Sequence, residues 1–249
     1  RITGRVTAPG EYTVHLKAAN APGSCERNLK IVVGDEIALT PPMGWNSWNC
    51  WARDVTQEQV LSSARAMVES GLADHGWSYI NIDDGWQGRR GGRYNAIQPN
   101  KKFPDMAALT REIHDMGLRV GIYSTPWIGT YAAHIGSYSD NPDGVNEWIK
   151  KGRHNEHYRY QKEGGNYWKD RTEVWHLGPY SFVEADVKQW GEWGIDYLKY
   201  DWNPLDYYHV KEMHDALRTL DRDVVYSLSN SAPYGDAPQW MRYSNCWRT

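Results

Sequence analysis

Hydrophobic and polar residues alternate with a period of two in the first part of the chain. Segments Glu11–Lys17 and Asn28–Val33 show this alternation, and residues 18–23 between them are rich in turn formers. The pattern predicts a β-hairpin. Because a lone hairpin is only marginally stable in water, we interpret residues 1–36 as the last strands of an all-β sandwich module whose earlier strands precede Arg1.

From residue 37 onward, short apolar runs alternate with amphipathic helical segments. Thr56 and Gln59 have capping-box spacing and begin one predicted helix, and Ser181 with Glu184 repeats that spacing ahead of a second. A third helix is predicted over Val210–Leu220 from its apolar face. Alternation of this kind indicates parallel strands joined by crossover helices.

Six apolar runs are short enough to be buried strands. They are Met43–Trp48, Tyr79–Ile82, Val120–Tyr123, Tyr197–Tyr200, Val224–Leu228 and Tyr243–Trp247. A closed (β/α)8 barrel, the TIM barrel, has eight strands. We therefore predict the α/β class, with a barrel domain at residues 37–249 that is truncated after about six strands.

Residues 128–180 do not fit the repeat, since they are polar and glycine-rich with scattered aromatic residues. We interpret them as an insertion over the mouth of the barrel. His154 and His157 lie within it, but two histidines without a nearby carboxylate or cysteine set are weak evidence for a metal site.

Composition excludes some classes of protein. The formal net charge is -3 and Lys and Arg form no basic stripe, which argues against a nucleic-acid partner. No apolar run approaches the roughly 20 residues of a membrane span. The chain has 14 Trp and 17 Tyr against 2 Phe, so its rings combine a flat apolar face with a polar edge, which suits either a large core or sugar binding.

Polar or charged groups directly follow several of the predicted strands. They are Asp83-Asp84, Tyr123-Ser124, Asp201 and Ser229-Asn230. In barrels of this type the loops after the strands surround one pocket at the C-terminal face. These separate strand ends therefore predict a single site.

Strand alternation places Tyr197, Lys199 and Asp201 on one face of their strand. A carboxylate beside an ammonium in a cleft is held ionised at neutral pH, which suits a nucleophile and not a general acid. We therefore predict that Asp201 is a catalytic nucleophile. The alternative is a buried ion pair that only fixes the strand, but such pairs are poor stabilisers.

Asp83 and Asp84 have two interpretations. Carboxylate pairs bind divalent cations, but no third acidic residue is in step with them, so recognition of sugar hydroxyls is favoured. We expect no metal and no cofactor.

Four motifs occur in one order along the chain: Met43-Gly44-Trp45-Asn46-Ser47-Trp48, Ile82-Asp83-Asp84-Gly85-Trp86, Gly121-Ile122-Tyr123 and Leu198-Lys199-Tyr200-Asp201. With these motifs the chain resembles glycoside hydrolase family 27, which comprises α-galactosidases and α-N-acetylgalactosaminidases. The resemblance covers Ala38–Thr249 except the insertion, and the hairpin resembles the end of an immunoglobulin-like module.

The resemblance implies a role for each matching residue. Asp201 becomes the nucleophile of a retaining exo-glycosidase that forms a covalent glycosyl-aspartate intermediate, and Trp45 the wall of the sugar pocket. Asp83 and Asp84 bind the C4 and C6 hydroxyls. The remaining substrate contacts are Tyr123, Lys199, Ser229, Ala232 and Arg248.

The family's acid/base aspartate lies a few residues beyond an arginine that matches Arg248. Retention needs two carboxyl groups roughly 5 Å apart, one to attack and one to protonate the leaving oxygen. We therefore expect the acid/base residue to lie beyond Thr249 and this chain by itself to be inactive.

Eukaryotic family members have cysteines near Gly85 and just after Asp201, which this chain lacks. At the positions of Ser229 and Ala232, animal galactosidases carry Glu and Leu, whereas the small residues here resemble the N-acetylgalactosaminidases and leave room for an acetamido group.

We expect hydrolysis of terminal α-linked galactose, with N-acetylgalactosaminidase activity and an inactive carbohydrate-binding barrel as alternatives. An enzyme of this kind with a β-sandwich attached is expected to be secreted, periplasmic or at the cell surface.

Overall fold

The structure is a computed structural model, and it describes residues 6–140, 180–203, 205–229 and 232–248. The chain forms two compact units, residues 1–39 and 40–249, whereas the sequence placed the boundary after residue 36. His154, His157 and most of the predicted insertion lie outside the described residues. No helix among the described residues is long and apolar enough to cross a membrane.

The first unit contains the predicted β-hairpin, which is confirmed. Strands β1 (Gly10–Asn20) and β2 (Gly23–Val33) pair antiparallel along their whole length, from Gly10 opposite Val33 to Asn20 opposite Gly23. The Asn20 side chain accepts a hydrogen bond from the Gly23 N–H at 3.2 Å, which fixes the turn. The β-sandwich and its immunoglobulin-like character stay predictions.

The second unit is built on a six-stranded sheet in which every neighbouring pair is parallel, with the order β10-β9-β8-β7-β4-β3. Apart from a small hairpin, β5–β6, strand order follows chain order, as expected for consecutive βα units of a (β/α)8 barrel. The strands are β3 (Gly44–Asn46), β4 (Tyr79–Asn81), β5 (Gln87–Gly91), β6 (Ala96–Pro99), β7 (Arg119–Ser124), β8 (Tyr197–Tyr200), β9 (Val225–Leu228) and β10 (Cys246–Trp247).

All six predicted parallel strands are confirmed, and the bounds of only two, β3 and β10, differ from the prediction by more than one residue. Trp48 begins a helix instead of extending β3, and Tyr243 ends a helix instead of starting β10. The hairpin β5–β6 was not predicted, because its sequence is polar and has no regular alternation.

Along the chain, the helices of the second unit alternate with its strands. They are α1 (Trp48–Trp51), α2 (Gln57–Glu69), α3 (Met106–Asp115), α4 (Val183–Trp193), α5 (Tyr207–Leu217) and α6 (Ala237–Tyr243), with short 3-10 turns at Ala52–Asp54, Leu72–His75 and Tyr234–Asp236. The predicted capping box of Thr56 and Gln59 is confirmed at the start of α2.

The capping box predicted for Ser181 and Glu184 is wrong. The residue before α4 is Phe182, and the Ser181 hydroxyl accepts from the Val183 N–H at 3.4 Å instead of forming the predicted pair with Glu184. The Phe182 N–H donates to the Ser137 carbonyl at 2.8 Å, and its ring lies under the Arg90 guanidinium at 4.2 Å. These tertiary contacts fix Phe182 and move the start of the helix beyond the local capping signal.

Two faces of the sheet have different characters. Side chains at alternate positions, such as Ile80, Val120 and Leu198, are fully buried in the hydrophobic core. The intervening positions face the interior of the barrel, where Asn81, Gly121 and Tyr197 are in register. A Cβ added to Gly121 would lie 2.0 Å from the Asn81 side-chain oxygen, so a larger residue there would displace the Asn81 side chain.

A buried ion pair holds the hairpin β5–β6 against helix α4. Arg90 donates to both carboxylate oxygens of Asp186, at 2.6 and 3.1 Å, and Asp186 also accepts from the Ile97 N–H at 2.9 Å. The side chains of Arg90 and Asp186 are 4% and 0% exposed. Bidentate geometry and satisfied hydrogen bonds are what a buried pair requires.

Candidate active site

The predicted site residues gather at the C-terminal ends of neighbouring parallel strands. Asp83 follows β4, Asp201 follows β8, and Ser229 follows β9, while Tyr123 of β7 and Lys199 of β8 are in register. The topology therefore brings these side chains to one end of the sheet, where the loops that follow the strands begin.

The Asp83 carboxylate is the centre of a hydrogen-bond network. Its Oδ2 atom accepts from the Asn46 side-chain amide and from Lys199 Nζ, both at 2.8 Å, and its Oδ1 atom accepts from the Asp84 N–H at 2.8 Å. The Asp83 N–H donates to the Ser47 hydroxyl at 2.9 Å. These contacts fix a carboxylate that is only 2% exposed.

Lys199 is shared between two carboxylates. Its Nζ atom is 2.8 Å from Asp83 and 3.9 Å from Asp201, and it lies 5.1 Å from the centre of the Tyr123 ring. The sequence paired Lys199 with Asp201 alone, whereas the structure makes Asp83 the nearer partner. One ammonium therefore compensates charge on both aspartates.

Asp201 is buried and is held by its neighbours. The Tyr123 hydroxyl donates to its Oδ2 atom at 3.1 Å, and its backbone N–H donates to the Ser124 carbonyl at 2.9 Å. Burial raises the pKa of Asp201 above the ordinary 3.8, and the nearby charge of Lys199 and the hydroxyls of Ser229 and Tyr123 counteract that rise. The ionising effect of Lys199 expected from the sequence is present, but burial outweighs it.

Asp84 has the most perturbed environment of the three aspartates. It is 1% exposed, its Oδ2 atom accepts from the Ala132 N–H at 2.7 Å, and its Oδ1 atom is buried and meets no donor among the described residues. Burial raises its pKa from 3.8 to about 7, and the charges of Asp83 and Asp201 add to the rise, while hydrogen bonds from Thr130 and Ala132 limit it. Near neutral pH this carboxyl is therefore able to donate a hydrogen bond as well as accept one.

Sequence reasoning missed several contributors to this network. Asn46 and Ser47 stand in the first motif but had no assigned role, although both contact Asp83. Thr130 and Ala132 fall in the predicted insertion, yet the described part of that segment, residues 128–140, is largely buried and supplies the backbone donor to Asp84. A backbone N–H carries no residue-type signal, so nothing in the sequence could have indicated Ala132.

Ser229, Ala232 and Arg248 lie at the ends of the last two strands. Ser229 and Ala232 are 4% and 3% exposed, and the Ser229 N–H donates to the Tyr200 carbonyl at 3.1 Å. The Ser229 hydroxyl is close enough to lower the pKa of Asp201, although its alignment falls short of a formed hydrogen bond. Arg248 is exposed, and its carbonyl accepts from the Ala232 N–H at 3.0 Å.

Trp45 is the middle residue of β3. It is in register with Ile80, whose side chain is fully buried, and it packs partly against the hydrophobic core. Asn46, the next residue, is the one that contacts Asp83. The role of Trp45 as a pocket wall stays a prediction.

A cavity of about 570 Å³ adjoins the hairpin β5–β6, and its lining contains none of the three aspartates. The described residues contain no group of three or more His, Cys, Asp or Glu side chains arranged to hold a metal ion. The three carboxyls and one ammonium at the strand ends are the candidate active site.

Known proteins resemble this chain in sequence. The family model described as Alpha galactosidase A matches residues 40–152. Alpha-galactosidase A of Cellvibrio japonicus is 32% identical over 226 residues, covering 86% of this chain and 44% of that protein. The chain spans a little under half the length of the curated relatives it matches, with 46%, 44% and 48% of three of them covered.

Solved structures resemble the fold. A Bacteroides fragilis protein has a TM-score of 0.72 and 34% identity, covering 98% of this chain and 45% of that one. Alpha-galactosidase I from Mortierella vinacea has a TM-score of 0.64 and 29% identity, covering 87% of this chain and 47% of that one. The fold and the sequence therefore agree on one family.

Proposed function

Because the chain belongs to glycoside hydrolase family 27, we propose that the full-length protein is a retaining exo-glycosidase that hydrolyses terminal α-linked galactose. The substrate is the non-reducing end of an oligosaccharide or polysaccharide. The observation that carries the proposal is the placement of Asp201, a buried carboxylate beside Lys199 and Tyr123 and next to the Asp83–Asp84 pair.

In the proposed mechanism, Asp201 attacks the anomeric carbon and forms a covalent glycosyl-aspartate, which water then hydrolyses. The hydrogen bond from Tyr123 and the charge of Lys199 favour the ionised form that attack requires. The acid/base carboxyl of the pair is proposed to follow Arg248, since β10 ends at the same end of the sheet as β8.

The same geometry supports recognition of a sugar. Asp83 is held as a hydrogen-bond acceptor by Asn46 and Lys199, whereas Asp84 has a pKa of about 7 and a buried oxygen free of donors among the described residues. A sugar hydroxyl both donates and accepts hydrogen bonds. Asp83, as an acceptor, and Asp84, as an acceptor that also donates when protonated, are therefore able to bind neighbouring hydroxyls.

Replacing Asp201 tests the proposal. Asp201→Ala in the full-length protein is expected to lower kcat/KM for nitrophenyl α-galactoside by roughly a thousandfold or more. Added azide should then restore turnover and yield β-galactosyl azide, because the small anion occupies the space of the lost carboxylate. Asp223→Ala is the control, since Asp223 is exposed and precedes β9 at the opposite end of the sheet.

A kcat/KM for Asp201→Ala that stays within a factor of about ten of the parent value would contradict a nucleophilic role. An α-configured azide product would also contradict it, because retention requires attack from the face that Asp201 occupies.

N-acetylgalactosaminidase activity is the second candidate, and the small buried side chains of Ser229 and Ala232 favour it. Ser229 adjoins Asp201, so larger side chains there would fill space near the reacting sugar. A side-by-side assay of nitrophenyl α-galactoside and nitrophenyl α-N-acetylgalactosaminide distinguishes the two. The double change Ser229→Glu and Ala232→Leu should move the ratio of kcat/KM values toward galactose.

A carbohydrate-binding barrel without catalysis is the third candidate. It predicts that the full-length protein binds galactosides but hydrolyses neither nitrophenyl sugar. We also propose that the protein is secreted, periplasmic or at the cell surface, where its glycan is found, and cell fractionation with an antibody to the protein tests that location.

A further inference from the structure

The residue after Asp201 is held by a hydrogen bond of its own. Trp202 is 2% exposed, and its indole N–H donates to the Asp206 Oδ2 atom at 3.1 Å. Its ring packs against that of Tyr200, with 5.0 Å between the ring centres. Asp201 therefore lies between two buried aromatic residues that face the same side of the strand end, and its own side chain points to the other side, where it meets Tyr123.

Asp206 is itself fixed at the start of helix α5. Its Oδ1 atom accepts from the His209 backbone N–H at 3.0 Å, and both of its carboxylate oxygens lie 2.8 Å from the His209 Nδ1 atom. Burial alone would raise the pKa of Asp206, but hydrogen bonds from His209 and Trp202 hold that pKa below the ordinary 3.8. Asp206 is therefore a carboxylate at neutral pH. Because a carboxylate only accepts hydrogen bonds, the Nδ1 atom of His209 carries a proton and donates it.

Helix α5 is in turn anchored to the segment 128–140, which supplies the backbone donor to Asp84. The His209 side chain is 7% exposed and packs edge-on against the Tyr138 ring, with 5.2 Å between the ring centres. The Tyr138 hydroxyl donates to Glu212 Oε2 at 2.8 Å. His209 and Glu212 are three residues apart, so they face the same side of the helix. This face of α5 is therefore held against the segment 128–140, and Asp206 at its start is held with it.

We propose that Asp206 is a positioning residue for the nucleophile, acting through the Trp202 indole on the orientation of Asp201. The inference rests on the proposed function. A buried indole N–H needs an acceptor, so the carboxylate selects one orientation of Trp202. Because Asp201 is bonded directly to Trp202, that orientation also fixes the peptide group from which the nucleophile projects. A misplacement of about 1 Å in a reacting group is able to lower a rate by about a hundredfold.

Asp206 also caps α5, and one substitution separates capping from positioning. In Asp206→Asn, the side-chain oxygen is able to keep the bond from the His209 N–H, since asparagine caps helices as well as aspartate does. The amide nitrogen then faces the Trp202 indole N–H, and two donors form no hydrogen bond. Trp202→Phe removes the same bond from the other side and keeps a flat ring. The two variants therefore share the loss of one hydrogen bond and retain the cap.

Trapping of the glycosyl-enzyme tests the proposal in the full-length protein. With a fluorinated α-galactosyl fluoride, Asp201 bonds to the anomeric carbon as the C–F bond breaks and fluoride leaves, and the deactivated sugar stays attached. Mass spectrometry should find one label per parent molecule, on Asp201. Asp206→Asn and Trp202→Phe should each slow labelling about tenfold, with the label still reaching one per molecule and the Kd for galactose unchanged. A purely structural role would lower the final amount of label and not its rate.

A double-mutant cycle and a matched control complete the test. Asp206→Asn combined with Trp202→Phe should label no more slowly than either single variant, because both changes remove the same bond. Asp215→Asn should label at the parent rate, since Asp215 is an exposed aspartate of the same helix that pairs with Lys211. Labelling of Asp206→Asn at the parent rate, a lower final amount of label, or losses that multiply in the double variant would overturn the positioning role. An unlabelled parent protein would refute the nucleophilic role of Asp201 and the positioning role with it.

Discussion

The raised pKa of Asp84 makes the stability of the protein depend on pH in a direction that can be calculated. We consider Asp84→Asn, a change that imitates the protonated carboxyl. The asparagine oxygen is able to keep the hydrogen bond from the Ala132 N–H, and its amide group takes the place of the protonated oxygen. The variant therefore removes the charge with little change in shape.

The magnitude follows from the difference between the two pKa values. In the unfolded chain Asp84 has its ordinary pKa of 3.8, and in the folded protein burial raises it to about 7. At about 1.4 kcal/mol per pH unit, this difference corresponds to about 4 kcal/mol. Since the folded pKa is the higher one, the stabilisation is complete below pH 3.8 and is lost as pH rises through 7.

Urea unfolding of both proteins between pH 4 and pH 8 tests this. We expect Asp84→Asn to gain stability relative to the parent as pH rises, by up to about 4 kcal/mol at pH 8. Asp201 titrates in both proteins, so its contribution cancels in the difference to first order. Asp223→Asn, at an exposed site, controls for removing a carboxylate as such. A difference between Asp84→Asn and the parent that does not change with pH would refute the reasoning.

Three further predictions concern other parts of the second unit. Arg90→Met should lower the free energy of unfolding, measured in urea, by about 3–5 kcal/mol, because it leaves Asp186 buried without its partner. The double variant Arg90→Met with Asp186→Leu should lose less stability, because no unpaired charge remains. Equal losses in the single and double variants would contradict this. Tyr123→Phe should move the acidic limb of the pH profile of kcat/KM to higher pH, since it removes a hydrogen bond that lowers the pKa of Asp201, and an unmoved limb would show that this bond does not matter. Dialysis against EDTA should leave the activity unchanged, whereas a loss restored by a divalent cation would revive the metal interpretation of Asp83 and Asp84.

The parallel sheet could be predicted because its strands are nearly continuous apolar runs. Strands such as Val120–Tyr123 and Tyr197–Tyr200 are buried on the face toward the helices, so their composition reflects burial directly. The hairpin β5–β6 has no such signal. The position of this hairpin depends on the ion pair between Arg90 and Asp186, two residues that are distant in sequence. A contact of that kind cannot be inferred from the local sequence pattern.

The charged members of the site could be predicted for a different reason. Asp83, Lys199 and Asp201 stand at or directly after strand ends, and the rule that parallel strands end at one face is sufficient to bring them together. The sequence could not indicate how one ammonium is divided among three carboxyls. It depends on the distances from Lys199 Nζ, which is 2.8 Å from Asp83 Oδ2 and 3.9 Å from Asp201 Oδ2.

The division of charge explains why the three aspartates have different roles in the proposed mechanism. Three carboxyls share one ammonium in a buried site, and both burial and their mutual repulsion favour the protonated form of one of them. Asp84 is the one most completely removed from water, and burial is the main reason for its pKa of about 7. A neutral Asp84 reduces the negative charge near Asp201 and so favours its ionised form. In the proposed mechanism, a protonated Asp84 therefore leaves Asp83 as the neighbouring carboxylate whose charge raises the pKa of Asp201.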